Sequence, residues 1–228
     1  TESKKDEKVK EESSKNGYTL TIHKLSDGSV QTFPFVTDYV LAKENEVIAF
    51  ISTGDDKDFQ PGIYFYDLNT AERTEVITGK GKYKQLSLSE SAKMLAYVAD
   101  TMEDKKDNFS LYLWKNNETV YELINNKHKS IPEGWEISEH GQISFSEKTN
   151  RVFFGLAPKK LEKDTTKLDE EIPALDVWHW NEPTLYTEQL HSVKTDLKKS
   201  YLSVYHLSNN NLVQLEKENY SDIKLINN

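Results

Sequence analysis

The sequence predicts an all-β protein of short antiparallel strands, and three observations support this. Only 36% of the 228 residues are hydrophobic, yet 11% are aromatic, a balance that suits half-exposed strands better than a helical bundle. From Gly17 onward apolar and polar residues alternate, which is the period of a strand. The third observation is an internal repeat spaced mostly in the forties, with four short strands per period. Such a repeat is typical of β-propeller blades.

Composition excludes several classes of protein. The net charge is −9, which is too acidic for a general nucleic-acid binder, whose affinity depends on neutralising phosphates. Cysteine is absent, so the chain has no disulfides, no thiolate zinc site and no thiol catalysis. No apolar run approaches the length of a membrane span, and residue 1 does not begin a signal peptide. We therefore expect no membrane span and no nucleic-acid partner.

Residues 1–16 differ in composition from the rest. They contain five Lys and five Asp or Glu, and Val9 is their only large apolar residue. Such a segment cannot bury enough surface to offset the entropy of ordering it. We predict a disordered, charged linker that solvates rather than binds.

A hairpin unit opens the repeat. In residues 19–25 Leu20 and Ile22 alternate with polar residues, an Asp27-Gly28 turn follows, and residues 30–35 form a second strand. The same unit returns at residues 62–77, at 110–114 with the following turn, and at 201–215.

A second unit alternates with the first. Residues 39–50 align without a gap on residues 86–97, 47 positions further on, and residues 143–154 repeat the pattern after 57 more. One blade cannot cover both of its own faces, so each blade buries its apolar residues against the next. A β-sandwich is the alternative, but sandwiches show no gap-free repeat of this kind.

The repeats do not fill a ring. Residues 17–228 account for a half-blade at residues 18–35, three blades, and residues 221–226 as the first strand of another. A closed propeller needs about four to eight blades, and closure removes its edges. We therefore expect a partial β-propeller of four-stranded antiparallel blades, prone to self-association through exposed edges.

One insertion, residues 159–199, interrupts the third blade. Within it four apolar residues recur at steps of four, three and four: Tyr186, Leu190, Val193 and Leu197. This spacing, with Pro183 near the start, predicts an amphipathic helix over residues 184–198.

The repeated strands resemble a known family. Residues 86–100 (LSLSESAKMLAYVAD) and 143–155 (ISFSEKTNRVFFG) resemble strand pairs of TolB-like propellers and of the propeller in prolyl oligopeptidase-family serine peptidases. Residues 174–189 (ALDVWHWNEPTLYTEQ) and 198–215 (KKSYLSVYHLSNNNLVQL) are similar to large exported peptidases of this family from Bacteroidetes-type bacteria.

The resemblance implies a propeller that covers an α/β-hydrolase domain of the same polypeptide and filters its peptide substrates, in a periplasmic or secreted protein. The family's chemistry needs a Gly-x-Ser-x-Gly elbow, which does not occur among the nine glycines here. We therefore expect no catalytic residue and no cofactor in this chain. Two alternatives stay open: a free-standing TolB-like periplasmic propeller that binds a protein or glycan, and a structural interaction module without a small ligand.

Four residues of the insertion are candidates for substrate or partner contact. Glu170 and Glu171 would bind an ammonium through charge-assisted hydrogen bonds, as paired glutamates of dipeptidyl-peptidase relatives do, although a solvated loop is the simpler interpretation. Trp178 and Trp180 would stack on a ligand, or pack in the core.

The sequence predicts no metal site. Two acidic loops, with Asp55, Asp56 and Asp58 in one and Glu103, Asp104 and Asp107 in the other, contain interspersed lysines and lack a calcium-loop pattern. We interpret them as solvated loops on one face of the propeller. The six histidines lack the spacing of a metal motif.

Overall fold

A computed structural model describes residues 17–42, 44–54, 59–102, 107–116, 118–160, 181 and 184–225. The predicted linker, residues 1–16, lies outside these residues. The described chain forms three antiparallel sheets in sequence order, with one helix between two strands of the third sheet.

The first sheet contains five strands in chain order: β1 (Tyr18–His23), β2 (Val30–Leu41), β3 (Val47–Ser52), β4 (Gly62–Asp67) and β5 (Glu72–Thr78). Strand β2 serves two partners, because its first half pairs with β1 and its second half, from Val36, pairs with β3. Phe35 separates the halves with a φ of +57°. The expected half-blade is therefore joined to the first blade through one interrupted strand.

The second sheet has four strands: β6 (Lys82–Leu88), β7 (Met94–Asp100), β8 (Ser110–Lys115) and β9 (Val120–Ile124). The third sheet consists of β10 (Trp135–Ile137), β11 (Ser144–Phe145), β12 (Arg151–Pro158), β13 (Tyr201–His206) and β14 (Asn211–Gln214). Both β10 and β11 pair with β12, so together they form one interrupted first strand. The helix α1 (Tyr186–Asp196) precedes β13.

The gap-free repeat corresponds to equivalent hairpins. Leu41 pairs with Ile48, and the residues 47 positions further on, Leu88 and Leu95, pair in the same way. A further 57 positions lead to Phe145 and Val152, which are also partners. The fold is therefore all-β, a partial β-propeller of antiparallel blades, as the sequence predicts.

Strand β7 shows how the blades are held together. Its side chains alternate between two hydrophobic clusters: Leu95 and Tyr97 pack with residues of the first sheet, whereas Ala96 and Val98 pack with residues of the third. Every residue of β7 after Met94 is buried. The middle sheet thus has no solvent-facing side along this strand, and its period-two pattern divides the apolar residues between neighbours.

The predicted helix is formed, but its apolar residues stay exposed. Helix α1 lies within the predicted range, but Leu190, Val193 and Leu197 are 56%, 43% and 61% exposed, so its apolar stripe is not packed on the blade. Residues 221–225 form no strand. Residue 226 lies outside the described residues, and the first strand of another blade over residues 221–226 stays a prediction.

Candidate functional site: a cleft between the second and third sheets

A cleft of about 1180 Å³ opens between the second and third sheets, where β7 and β12 end. Its apolar surface includes Phe109, Ile137 and Pro158, and its polar surface carries both signs of charge: Asp107, Glu136, Glu139, His140, Lys159, Lys160, Asp196 and Lys199. The connections that follow β7 and β12 both contribute to it, which supports the expectation that equivalent loops share one face.

Buried Asp100, at the end of β7, organises the second-sheet side. It is 3% exposed, and its Oδ1 accepts the backbone N–H of Met102 at 3.1 Å while its Oδ2 accepts that of Asn108 at 3.2 Å. One carboxylate therefore fixes both ends of the β7–β8 connection. Asn126 continues the network, because its Nδ2 donates to Asn108 Oδ1 at 2.8 Å and its Oδ1 accepts the N–H of Ile137 at 2.7 Å. Side-chain hydrogen bonds thus link the two sheets at the cleft.

The third-sheet side is formed by a wide bulge, residues 138–143, between β10 and β11. Ile137 pairs with Leu156 and Ser144 pairs with Phe153. The six residues 138–143 therefore lie opposite only two residues of β12, 154 and 155. The equivalent part of the second sheet lies between Tyr83 and Ser87, where three residues oppose two. The third blade therefore has three extra residues in its first strand. Bulges of this kind reorient side chains and are frequent beside functional sites.

The bulge backbone is held from three directions. Gly141 lies so close to Gly155 of β12 that a Cβ on Gly141 would be 2.4 Å from the Gly155 Cα. The backbone N–H of His140 donates to Ser138 Oγ at 3.1 Å, and Gln85 Nε2 of β6 donates to the Glu139 carbonyl at 3.1 Å. Glu139 and His140 are thereby presented at the cleft from a fixed backbone.

The charges of the bulge are coupled. Glu139 Oε1 lies 3.6 Å from Lys160 Nζ and 3.6 Å from His140 Nε2. Burial lowers the pKa of His140; Lys160, Lys198 and Lys84 act in the same direction, and Glu139 opposes them. The surroundings of His140 thus favour its neutral imidazole, which can donate through one ring nitrogen and accept through the other.

The other acidic groups of the cleft differ in environment. Burial raises the pKa of Glu136, against the opposing effect of Lys160 and Lys159. Asp107 forms an ion pair with Lys82 of β6, and this hydrogen bond raises the pKa of Lys82. Asp107 is thus paired with a lysine, whereas burial of Glu136 disfavours its charged form.

The residues singled out from sequence lie mostly elsewhere. The four contact candidates lie within residues 161–180, outside the described residues: Glu170, Glu171, Trp178 and Trp180. Most residues of the two acidic loops also lie outside the described residues: Asp55, Asp56, Asp58, Glu103 and Asp104. The described part of the chain contains no group of three or more potential metal-ligating side chains.

Sequence reasoning missed Glu139 and His140. The alignment of the three copies begins at residues 39, 86 and 143, so the stretch before Ile143 lies outside it and its three extra residues do not show in the repeat. Extra residues inside an otherwise regular first strand mark a bulge.

No known protein-family model and no curated protein matches the chain. It is similar in structure to TolB from Acinetobacter baumannii (14% identity, TM-score 0.45, covering 88% of this chain and 38% of that one). It is also similar to the β-propeller domain of the Trilobed protease from Pyrococcus furiosus (14% identity, TM-score 0.47, covering 86% of this chain and 48% of that one). An acylaminoacyl peptidase from Pyrococcus horikoshii is similar as well (13% identity, TM-score 0.45, covering 87% of this chain and 28% of that one). The chain thus spans less than half of each. Within its described residues no helix is long and apolar enough to cross a membrane.

Proposed function

We propose that this chain is the non-catalytic β-propeller segment of an exported serine peptidase similar to the prolyl oligopeptidase family. It gates the access of peptides to an α/β-hydrolase domain outside this chain and supports that domain. One observation carries the proposal: consecutive blades present a cleft with a bulge on the face where β7 and β12 end, in a chain without a nucleophile elbow.

The cleft does not supply peptidase chemistry by itself. A serine nucleophile needs an accessible hydroxyl beside a base and an oxyanion-binding group. The hydroxyl adjacent to the bulge imidazole, that of Ser138, is buried and accepts the backbone N–H of His140. These residues support a binding role rather than acyl transfer, and this role requires no cofactor.

The proposal implies particular partners and a compartment. The hydrolase domain of the same polypeptide and the parent's peptide substrates are the expected partners, in the periplasm or outside the cell. Self-association is a further proposal, because β1 pairs on one side only and leaves an edge available within the described structure.

The decisive experiment is to sequence the gene downstream of this segment and to assay two purified proteins. The 228-residue chain should release no dye from an alanyl-prolyl chromogenic substrate, whereas the full-length product should. A downstream sequence without a hydrolase domain and nucleophile elbow would refute the proposal, as would dye release by the 228-residue chain.

The second candidate is a free-standing TolB-like propeller that binds a protein or glycan. The cleft is compatible with it, because a cleft between two sheets can bind a ligand without any catalytic domain. It predicts a native polypeptide that ends soon after its ring closes, which the same sequencing experiment detects.

A further inference from the structure

The first sheet begins with an incomplete blade. Strand β1 and the first half of β2 form the same hairpin unit that ends the other blades, and no described strand pairs with the free side of β1. In the second sheet two further strands, β6 and β7, lie on the corresponding side of the hairpin. The incomplete blade therefore lacks the equivalents of a first and a second strand.

The composition of β1 is that of an interior strand. Its six residues, YTLTIH, include no Asp, Glu, Lys, Arg or Pro. Strand β5, at the other edge of the same sheet, carries Glu72, Arg73 and Glu75. Charge and proline on an edge strand discourage pairing with a further strand. Strand β1 has no such protection and is suited to a second partner.

The backbone of β1 has hydrogen-bonding groups on its free side. The N–H of Lys24 donates to the Ser29 carbonyl at 2.9 Å, next to the pair formed by β1 and β2. In an antiparallel pair every second residue bonds to the partner strand. Ile22, two residues before Lys24, therefore bonds to β2, whereas Thr21 and His23 direct their backbone N–H and C=O groups to the free side.

The repeat shows what covers the first strand of a blade. Tyr39 and Leu41 of β2 correspond to Leu86 and Leu88 of β6, 47 positions further on. Both leucines are half-buried and pack in the cluster that contains apolar residues of β2 and β3. Strand β6 contacts both of these strands, and in the third sheet β11 contacts β6 in turn. The first strand of a blade thus packs on the first strands of the preceding blade.

Tyr39 and Leu41 lack this cover. They pair with Phe50 and Ile48 of β3 and so lie on the same face as these two residues. Phe50 and Ile48 are buried under the β1–β2 hairpin, where the ring of Phe33 lies 4.7 Å from that of Phe50. Tyr39 and Leu41, however, are 56% and 55% exposed. The hairpin covers β3 and leaves the second half of β2 uncovered, where the missing first and second strands would lie.

We propose that a β-hairpin of the same polypeptide, N-terminal to residue 1, docks in this slot, which consists of the free side of β1 together with Tyr39 and Leu41. One strand of the hairpin pairs with β1, and its apolar side chains cover Tyr39 and Leu41. The order of the strands supports this source, because in the second sheet the first two strands directly precede the third along the chain. The inference goes beyond the proposed function and needs no hydrolase domain.

Charged runs in the sequence support the same source. In each blade a charged run precedes the third strand: residues 55–58 before β4, 103–107 before β8 and 159–171 before β13. Residues 3–12 before β1, with the sequence SKKDEKVKEE, have the same composition. Residues 1–16 thus occupy the position in the repeat that follows a second strand. Self-association through β1 would compete with the hairpin, so we expect it of the 228-residue protein and not of the full-length product.

Cysteine labelling tests the proposal, because the chain contains no cysteine. Leu41→Cys and Tyr39→Cys report on the slot, and Thr74→Cys, at an exposed position of β5 in the same sheet, is the matched control. Each variant is prepared in the 228-residue protein and in the full-length gene product, and maleimide labelling of dilute protein is followed at that site by mass spectrometry. In the 228-residue protein all three cysteines should react at similar rates. In the full-length product the two slot cysteines should react at least about tenfold more slowly, and the control at an unchanged rate.

Two outcomes of the labelling overturn the proposal. Fast reaction of the slot cysteines in both proteins would show that nothing docks there, and slow reaction in both would show that the slot is not open in the 228-residue protein. The gene upstream of residue 1 should also encode two consecutive strands of alternating apolar residues, and their absence overturns the proposal as well. The peptidase proposal depends instead on the sequence downstream. An upstream hairpin without a downstream hydrolase refutes only the peptidase proposal, and a hydrolase without the hairpin refutes only this inference.

Discussion

Gly155 of β12 lies against Gly141 of the bulge so closely that a Cβ added to Gly155 would be 2.6 Å from the Gly141 Cα. The same Cβ would be 2.9 Å from the Ser200 Cβ, immediately before β13. This contact between two glycines fixes the distance between the bulge and the strand behind it, and so fixes the third-sheet side of the cleft.

We expect Gly155→Ala to destabilise the protein by about 1–3 kcal/mol through overpacking. The sign of the change in the free energy of unfolding tests the contact, because the φ of Gly155 is not in the left-handed region and alanine is not strained there by its backbone. Without the contact, replacing Gly by Ala at such a position would stabilise by about 0.4–1 kcal/mol, since it restricts the unfolded chain. Urea denaturation gives the free energy of unfolding, and an increase would show that the glycines are not in contact.

The regular part of the fold could be predicted from sequence, and the bulge shows why the rest could not. Leu41, Leu88 and Phe145 occupy equivalent positions because a strand period of two and a recurring hairpin determine both face and register. The residues of the bulge follow no repeat, so their position depends on contacts distant in sequence, such as that between Gly141 and Gly155. The cleft is likewise formed by connections that share no pattern.

Tyr97 and Tyr83 provide a matched pair of hydroxyl deletions. Tyr97 Oη is buried and has no hydrogen-bond partner within the described structure, and burial raises its pKa far above the ordinary value. Tyr83 Oη donates to the Gly79 carbonyl at 3.0 Å. Tyr97→Phe should therefore be neutral or stabilising, since it removes an unsatisfied buried group, whereas Tyr83→Phe should cost about 0.5–1.5 kcal/mol. Thermal denaturation of both variants compares their losses of stability, and a greater loss for Tyr97→Phe than for Tyr83→Phe would contradict this prediction.

Glu216 fastens the chain after β14 to the third sheet. Its buried carboxylate accepts the N–H of Leu202 through Oε2 and that of Ile223 through Oε1, each at 2.7 Å. Glu216→Ala should cost about 1–3 kcal/mol, because it leaves the Leu202 N–H without its acceptor, and should speed hydrogen exchange at Ile223. The exposed Glu218→Ala is the control. Unchanged exchange at Ile223 in Glu216→Ala would show that this carboxylate does not hold the segment.

His140 should make stability depend on pH. Burial lowers its pKa in the folded protein below the ordinary histidine value of 6.5, with Lys160, Lys198 and Lys84 acting in the same direction and Glu139 opposing them. Below pH 6.5 the unfolded chain binds a proton at this position that the folded protein resists, so the folded state loses stability as the pH falls toward the folded pKa. His140→Gln should remove this contribution and flatten the decrease in Tm between pH 7 and pH 5, whereas His23→Gln, at an exposed position of β1, should retain it. If His140→Gln and the wild-type chain lose Tm equally over this range, the imidazole is not held in its neutral form by the fold.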